Sequence, residues 1–348
     1  MNKSKKQAKG LRGAVKYIIP FVVSVGLCYL LFTDIDFGQM MDIIRNECDF
    51  RWIALALCIS IVSFVCRAYR WRIQLRALGI DPPVSALILS IFGTYSVNLV
   101  FPRLGEIWRT GYIAQRQKAP FTTVFGSMVA DRLADTVTVL LLTVVTFGLA
   151  SGAIMNFLEA NMDSYRSILV TLTSPWLWGS AVVIIAAFWI LMTRRTSVGW
   201  LVKVQNVFRE LWQGFAVIVR MKGKGQWLLW TVGIWGCFFT QLYVCFFSFP
   251  FTAEVVADNG ALAVLVTFVL SSISMGVPSN GGIGPWQWSV IFGLSIYGVA
   301  RPDAAAFANI VLGTQTLMLI VLGIFTFAAI ALDRKKAARR IENENNVN

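Results

Sequence analysis

The segment PRLGEIWR carries charged residues at a spacing that could do chemistry. Arg103, Glu106 and Arg109 are three residues apart, so in a helix they occupy neighbouring faces. A carboxylate between two arginines can form a charge-paired cluster, and arginine also offers fork-shaped donors that suit phosphate. Pro102 suits the first position of a helix, and Gly105 permits close approach of another backbone. The segment therefore predicts a structural ion-pair cluster or a site for an anionic group.

The segment VADRLADTV contains a second set of charges. Asp131 and Asp135 are four residues apart and share a helix face, with Arg132 about 100° away. Unpaired charges at the centre of a membrane cost about 2.5 to 3.5 kcal/mol each, so these residues need partners. We expect salt bridges to the nearest unmatched charges, Arg103 and Arg109. The two aspartates could also bind Mg²⁺, but the flanking Arg132 argues against this.

Four arginines crowd the end of an apolar run at CRAYRWRIQLR. Arg72 and Arg76 fit ordinary flanking residues whose long side chains reach the membrane surface. Arg67 lies deeper, one helical turn before Arg70. Arg67 and Arg70 are therefore the candidates to face a polar cavity.

A late apolar segment is interrupted at VPSNGGIGPWQW. No regular helix can run through Pro278, Gly281, Gly282, Gly284 and Pro285, so backbone donors and carbonyls are released there. Asn280 and Gln287 add neutral hydrogen-bonding groups. The segment lacks the Lys and Ser/Thr of a phosphate-binding P-loop. It indicates either a tight structural hairpin or part of a binding site.

Composition defines the elements that must position these residues. The chain has 57% hydrophobic and 14% charged residues over 348 positions, with a mean hydropathy of +0.66. This is too apolar for a soluble globular protein of that length. The apolar runs are continuous and not alternating, which favours membrane-spanning helices over a barrel. We therefore predict an all-α polytopic integral membrane protein.

The net charge of +13 follows membrane topology and does not indicate nucleic-acid binding. Basic residues dominate residues 1–16, the loop 194–224 and the tail RKKAARR after Asp333, and by the positive-inside rule these segments face the cytoplasm. The loops around 34–51, 159–166 and 254–258 are net acidic and are expected outside. Both termini are thus predicted to be cytoplasmic, with one membrane domain over 1–332 and a basic-then-polar tail over 333–348.

Six full spans and two interrupted segments are predicted, which gives eight membrane segments. If residues 83–101 crossed fully, the basic segment 103–118 would be outside, so we predict a re-entrant hairpin from the cytoplasmic side. The other interrupted segment, 261–299, is expected to enter from outside. Paired broken segments in the two halves of a chain are typical of a transport site. The full spans are expected near residues 16–33, 52–72, 122–150, 176–193, 227–250 and 304–332.

Metal and cofactor chemistry is not predicted. The chain has no histidine, which is the commonest metal ligand and the usual general base at neutral pH. Its six cysteines form no CxxC pair, and five of them lie inside apolar runs. We therefore expect no metal, no cofactor and no disulfide framework.

In this order, NLVFPRLGEIWR, DRLAD and VPSNGGIGPWQW resemble the transmembrane domain of the lysylphosphatidylglycerol synthase/flippase family, over about residues 16–332. Two positions depart from the family pattern. Asp131 stands where members usually have Glu, and Gln287 replaces a Glu that usually follows the late glycines, which removes a charge. Bifunctional members continue into a soluble aminoacyl-transferase domain, whereas this chain ends at Asn348. The resemblance implies the translocating half without the synthase.

The resemblance implies a lipid flippase or transporter in the bacterial cytoplasmic membrane. Its cargo would be a phospholipid or a polyprenyl-phosphate-linked glycolipid, and its partners membrane lipids and not nucleic acid, with a homo-oligomer or a separate lipid-modifying enzyme as further candidates. The alternative is a membrane-embedded transferase acting on a lipid-linked sugar or an aminoacyl-lipid. An ion channel would need a repeated ring of polar groups, and the chain shows no such repeat.

Under this hypothesis, arginines bind the headgroup and acidic residues hold the arginines in place. The residues expected to contact lipid are Arg67, Arg70, Asn98, Arg103, Glu106, Arg109, Asp131, Arg132, Asp135, Asn280 and Gln287. Those expected to shape the backbone are Pro102, Gly105, Pro278, Gly281, Gly282 and Gly284.

Overall fold

A computed structural model of the protein describes residues 37–160, 174–193 and 221–347, together with positions 202 and 205. Within these ranges every regular element is helical. The predicted span 16–33 and most of the basic loop 194–224 lie outside the described residues. The α-helices are α1 (Phe37–Glu47), α2 (Phe50–Ala77), α3 (Val84–Val100), α4 (Leu104–Gln117), α5 (Phe121–Ala160), α6 (Pro175–Thr193), α7 (Lys224–Cys245), α8 (Pro250–Asn259), α9 (Ala261–Ser274), α10 (Pro285–Ser295) and α11 (Arg301–Val347).

Four of the described helices contain stretches long and apolar enough to cross a membrane. They correspond to predicted full spans, and α6 coincides with the predicted span 176–193. The prediction of an all-α membrane protein with several spans is confirmed, while the full set of eight segments and the cytoplasmic termini stay predictions. The four stretches are Phe50–Ala77, Phe121–Ala153, Lys224–Ser248 and Arg301–Asp333.

Local sequence signals explain where the helices begin and end. Asp49 caps α2, because its side chain accepts a hydrogen bond of 3.0 Å from the backbone N–H of Arg51. Gly79, with a φ of 76°, follows the end of the same helix. Pro250 and Pro285 each occupy the first position of a helix, where the missing N–H costs nothing.

Burial distinguishes the central helix from the peripheral ones. In the most apolar window of α2, 44% of the residues are buried, against 22% in those of α5 and α11. On α5, Leu140, Leu141 and Val144 are 60 to 72% exposed. Such exposed apolar faces are what a helix presents to lipid, so α2 forms the centre of the bundle.

The long helix α7 runs antiparallel to α2. At one end, the backbone N–H of Asp49 donates to the carbonyl of Ser248 at 2.8 Å. At the other end, Gly223 lies against the side chain of Ile73. These contacts define two ends of the bundle, which we call the Phe50 end and the Ala77 end.

The last helix, α11, crosses the bundle from the Phe50 end to the Ala77 end. Near its start, the ring of Phe307 packs against that of Phe246 with a centroid distance of 5.3 Å. Near residue 333, Asp333 lies 3.7 Å from Arg116 at the end of α4. Because α4 leads directly into α5, the long helix α5 begins at the Ala77 end.

Helices α3 and α4 form the first hairpin, which begins and ends at the Ala77 end. Its helices approach closely, since a Cβ atom on Gly105 would lie only 2.1 Å from the carbonyl oxygen of Thr94, and one on Gly93 would lie 2.3 Å from the ring of Trp108. The 17 residues of α3 rise about 25 Å, less than the roughly 30 Å of a hydrocarbon core. Re-entry of this hairpin from the cytoplasmic side stays a prediction.

The tip of the first hairpin differs from the sequence prediction. Pro102 does not open a helix, because α4 begins at Leu104 and the turn comprises residues 101–103. Arg103 adopts a left-handed conformation with a φ of 61°, which is uncommon for a residue with a side chain. The chain must reverse direction within three residues, and the left-handed residue achieves this.

Helices α9 and α10 form the second hairpin, which begins and ends at the Phe50 end. It follows α8, whose axis is bent by 113° from that of α9, and it leads into the first turn of α11. As the sequence predicts, the helix is interrupted over residues 275–284. Gly281, Gly282 and Gly284 all have φ values between 63° and 91°, which favour glycine. The two hairpins thus enter the bundle from opposite ends.

We predict that Gly105→Ala destabilises the protein by about 1 to 3 kcal/mol or more, because the new methyl group meets backbone that cannot move aside. Gly111→Ala is the matched control on the same helix, where a Cβ would have no neighbour within 4 Å. Alanine there should stabilise the helix by about 0.5 to 1 kcal/mol. Thermal unfolding of the detergent-purified variants measures both effects. Equal melting temperatures would contradict the close packing of α3 on α4.

We predict that a cysteine at Arg116, in a background without other cysteines, reacts with a membrane-impermeant thiol reagent only after cells are opened. Arg116 is partly exposed at the Ala77 end, which the charge distribution assigns to the cytoplasm. Labelling of intact cells, with reaction of an engineered external cysteine as the positive control, would show the orientation to be reversed.

Candidate functional site

Helices α2, α4 and α5 bring seven charged side chains into one cluster. Arg67 lies ten residues before Ala77 on α2, and Asp131 lies ten residues after Phe121 on α5. At a rise of about 1.5 Å per residue, each lies roughly 15 Å from the end of its helix. That is about half of a hydrocarbon core. The cluster consists of Arg67, Arg70, Glu106, Arg109, Asp131, Arg132 and Asp135, and we call it the charge cluster.

The two aspartates on α5 bind the two arginines on α2. Arg70 Nη2 lies 2.7 Å from a carboxylate oxygen of Asp131 and 2.7 Å from one of Asp135. Arg67 Nη1 donates to Asp135 at 2.7 Å. Arg67, Arg70 and Asp131 are at most 3% exposed. Buried charges are tolerated when they are paired and hydrogen-bonded in this way.

The observed partners of the aspartates differ from the expected ones. Sequence reasoning expected Arg103 and Arg109, but only Arg109 reaches Asp131, at 3.4 Å. The shorter contacts come from Arg67 and Arg70. The signal for this pairing was present, because the two arginines are three residues apart on one helix and the two aspartates are four apart on another, which places each pair on one face.

Glu106 also has a different partner from the one expected. It does not form an ion pair with Arg103 or Arg109, because Arg132 on α5 lies 2.9 Å from its carboxylate. The amide of Asn98 donates to Glu106 at 3.2 Å and its oxygen accepts from the backbone N–H of Gly105 at 2.8 Å. Asn98 therefore fixes Glu106 and the start of α4 together, and the Glu106 side chain is turned toward α5.

Arg109 has the fewest strong contacts of the arginines in the charge cluster. Its side chain is completely buried, and its contact with Asp131 is long. The guanidinium lies over the ring of Trp71 at 4.5 Å from the centroid, a distance typical of a cation–π contact. Trp71 is held in turn by a hydrogen bond of 3.0 Å to Ser127.

The charge cluster contains more positive than negative charge. Four guanidinium groups face three carboxylates, which leaves one positive charge when all groups are ionised. Each arginine also has at least one buried nitrogen without a hydrogen-bond partner among the described residues, and Arg109 has two, Nε and Nη1. Guanidinium donors suit phosphate or carboxylate oxygens. The cluster therefore carries one positive charge that its own carboxylates do not balance.

The tips of the two hairpins meet beside the charge cluster. Arg103 Nη2 donates to the carbonyl oxygen of Gly276 at 2.7 Å, and Asn280 Nδ2 donates to that of Val100 at 3.3 Å. Gly281 packs against Leu99 so closely that a Cβ would lie 2.5 Å from it. Arg103 and Asn280 thus belong to a contact between hairpins and not to the charge cluster.

Gln287 lies apart from the other predicted site residues. Its side-chain oxygen accepts from the backbone N–H of Gly284 at 3.0 Å, and its amide donates to Asn309 of α11. The side chain is 6% exposed. In this structure Gln287 fixes the start of α10 against α11.

The two outermost arginines bind a carboxylate outside the charge cluster. Arg72 and Arg76 contact Asp81 at 3.0 and 2.9 Å, and these groups are partly or largely exposed. The hydrogen bond from Arg76 lowers the pKa of the Asp81 carboxyl. Exposed pairs of this kind contribute little to stability.

The part of the chain that the structure describes offers no obvious ligands for a metal ion. No three His, Cys, Asp or Glu side chains group there in a way that could hold an ion. The oxygens of Asp131 and Asp135, considered above for Mg²⁺, accept hydrogen bonds from arginines.

We predict that Asp131→Asn destabilises the protein by about 3 to 5 kcal/mol, because it leaves buried arginines with too little negative charge. The matched control is Asp81→Asn, which removes the carboxylate of an exposed arginine pair and should change the melting temperature little. Thermal unfolding in detergent measures both. A small effect of Asp131→Asn would mean that the buried charges do not depend on each other.

Two known proteins are similar in sequence to this chain. The chain is 23% identical over 333 residues to a UPF0104 membrane protein of Methanothermobacter thermautotrophicus, covering 86% of this chain and 90% of that protein. It is 30% identical over 139 residues to the glycosyltransferase AglD of Haloferax volcanii, which is 39% of this chain but only 21% of that relative.

The family described as the lysylphosphatidylglycerol synthase TM region matches residues 17–323. The match includes both hairpins and the whole charge cluster, and the predicted resemblance is confirmed. The chain is a multi-pass membrane protein that belongs to the lysylphosphatidylglycerol synthase TM region family.

Proposed function

We propose that the protein moves an anionic amphipathic lipid between the leaflets of the bacterial cytoplasmic membrane. The cargo class is a phospholipid or a polyprenyl-phosphate-linked glycolipid. The observation that carries the proposal is the excess of buried arginine over carboxylate in the charge cluster, which we place about 15 Å inside the membrane.

The excess charge explains why a lipid phosphate would bind in the charge cluster. A lone arginine at that depth costs several kcal/mol, so the three carboxylates stabilise three of the four guanidinium groups. The charge cluster therefore has one positive charge that is not balanced by a carboxylate of the cluster. A phosphate would complete the balance and accept charge-assisted hydrogen bonds from the free donors of Arg109.

The arrangement of the hairpins supports the movement of a bound lipid across the membrane, and not only its binding. The two hairpins enter from opposite ends of the bundle, and their tips meet through two hydrogen bonds and the packing of Gly281 on Leu99. Broken helices that meet at membrane depth are typical of transporters in which two halves rearrange around a central site. Opening either hairpin would connect the charge cluster to one side of the bundle.

The match to a glycosyltransferase favours a second candidate function, a transferase acting on a lipid-linked sugar. The aligned region covers only 21% of that relative. The charge cluster could then hold the phosphate of a lipid-linked donor or acceptor while a group is transferred. The two proposals agree on a lipid phosphate and differ in whether the lipid is chemically changed.

Reconstitution in vesicles separates the two proposals. The purified protein is placed in vesicles with headgroup-labelled fluorescent phosphatidylglycerol, and a membrane-impermeant quencher reports how much label reaches the outer leaflet. Transport predicts that the quenchable fraction rises from about half to nearly all without any new lipid on thin-layer chromatography. Vesicles that stay half-quenchable would contradict transport, and a converted lipid in the presence of a sugar donor would support the transferase.

We predict that Arg109→Gln slows lipid exchange at least about tenfold, since hydrogen bonds to charged groups contribute about 1.5 to 3 kcal/mol. The substitution also removes the excess charge, so the remaining arginines and carboxylates balance and the melting temperature should fall little. Arg116→Gln, on the same helix but outside the charge cluster, is the matched control and should exchange lipid at the wild-type rate.

A wild-type exchange rate for Arg109→Gln would show that the excess arginine does not bind the headgroup. Unfolding of that variant would show instead that Arg109 stabilises the fold. Arg109→Lys, which keeps the charge but not the fork-shaped donors, would then report on the headgroup contact.

A further inference from the structure

Arg103 is the one arginine in its region without a carboxylate partner among the residues that the structure describes. The chain has eight arginines between residues 67 and 132, all of them described by the structure. Seven have a carboxylate oxygen within 3.7 Å. Arg103 instead donates to the neutral carbonyl of Gly276. Its positive charge is therefore not compensated by any carboxylate among the described residues.

Arg103 is held at the junction of the hairpin tips by an unusual backbone conformation. Its φ of 61° is left-handed, which few residues with a side chain adopt, and such conformations concentrate at functional sites. The side chain is exposed, and its contact with Gly276 uses one of five N–H donors. The remaining donors are open to a molecule that arrives from outside the protein.

Apolar side chains surround this junction on both hairpins. Six of them are between 40 and 62% exposed, and we call them the apolar rim. Exposed apolar side chains on a membrane protein face acyl chains. A cation bordered by such side chains suits an anionic lipid, because the phosphate can bind the cation while the acyl chains contact the apolar side chains. The apolar rim consists of Val100, Phe101, Ile107, Ile273, Met275 and Val277.

We propose that Arg103 is the docking point for the phosphate of an anionic lipid that arrives laterally from the bilayer, with its acyl chains against the apolar rim. This proposal rests on the proposed function, because it supplies the lipid that the charge cluster would receive. A phosphate oxygen forms a stronger, charge-assisted bond with arginine than a neutral carbonyl does. Binding would therefore displace Gly276 from Arg103 and release one of the two polar contacts between the tips.

The position of Arg103 also connects the junction to the charge cluster. Arg109 follows it by six residues along α4, a helix rise of about 9 Å. A phosphate released from Arg103 would find the unpartnered donors of Arg109 within the first two turns of α4. Docking at the tips and binding in the charge cluster would then be successive steps.

Binding to the purified full-length protein in detergent tests the docking site. The probes are short-chain phosphatidylglycerol, inorganic phosphate and the neutral diacylglycerol with the same chains, with dissociation constants from native mass spectrometry or thermal-shift titration. We expect phosphatidylglycerol to bind at least about tenfold more tightly than phosphate, because only the lipid reaches the apolar rim. The diacylglycerol should bind weakly, since it lacks the anionic group.

Substitutions assign the binding to Arg103. Arg103→Gln should weaken phosphatidylglycerol binding about tenfold or more, whereas Arg116→Gln, which changes an exposed arginine in the last turn of α4, should leave the dissociation constant unchanged. If Arg103→Gln does not fold, Val277→Ser keeps the arginine and alters the apolar rim on the other hairpin. It should weaken phosphatidylglycerol and leave inorganic phosphate unaffected.

Two results would overturn the docking site. One is equal binding of phosphatidylglycerol by Arg103→Gln and the wild type, and the other is equal affinity of the wild type for phosphate and for the lipid. The vesicle assay keeps this test separate from the proposed function. If the wild type exchanges lipid but Arg103→Gln binds phosphatidylglycerol as tightly as the wild type, the docking site is contradicted and transport is not. If phosphatidylglycerol binds through Arg103 but the protein exchanges no lipid, transport is contradicted and the docking site is not.

Discussion

The structure depends on the cost of placing charge inside hydrocarbon. Seven charged side chains gather inside a bundle of apolar helices, and they are tolerated because guanidinium groups on α2, α4 and α5 meet carboxylates on α4 and α5 at distances of 2.7 to 3.4 Å. This requirement fixes how the three helices face one another. It also explains the tight first hairpin, since Gly105 allows α4 to approach α3 closely enough for Asn98 to reach Glu106.

The same requirement distinguishes charged residues that hold one another in place from arginines that could bind a lipid. Asp131 and Asp135 are occupied by Arg67 and Arg70, and Glu106 by Arg132, so these groups mainly hold one another. Among the described residues, Arg109 has a long ion pair and two buried nitrogens without a hydrogen-bond partner, and Arg103 has no carboxylate partner. A lipid phosphate would thus meet the two arginines that the protein itself leaves least satisfied, both on the hairpin that enters from the Ala77 end.

Much of this architecture could be predicted from the sequence, because length, hydropathy and glycine or proline breaks act locally. The break at residues 275–284 follows from Gly281, Gly282 and Gly284, whose φ values favour glycine. The hairpin over α3 and α4 is predicted because a full crossing would place the basic segment 103–118 outside. The pairing of charges was harder, because it depends on helix rotation. Chain proximity suggested that Glu106 binds Arg103, whereas the left-handed turn at Arg103 directs that side chain to the other hairpin and Glu106 meets Arg132.

The central claim is that the charge cluster accepts a lipid phosphate beside Arg109. An experimental structure of the protein in a nanodisc that contains phosphatidylglycerol would test it most directly, at a resolution that distinguishes a phosphate from water. The account predicts tetrahedral density within hydrogen-bond distance of Arg109 Nε and Nη1. Density for water alone at these two nitrogens, in a map that shows lipid elsewhere around the protein, would contradict it.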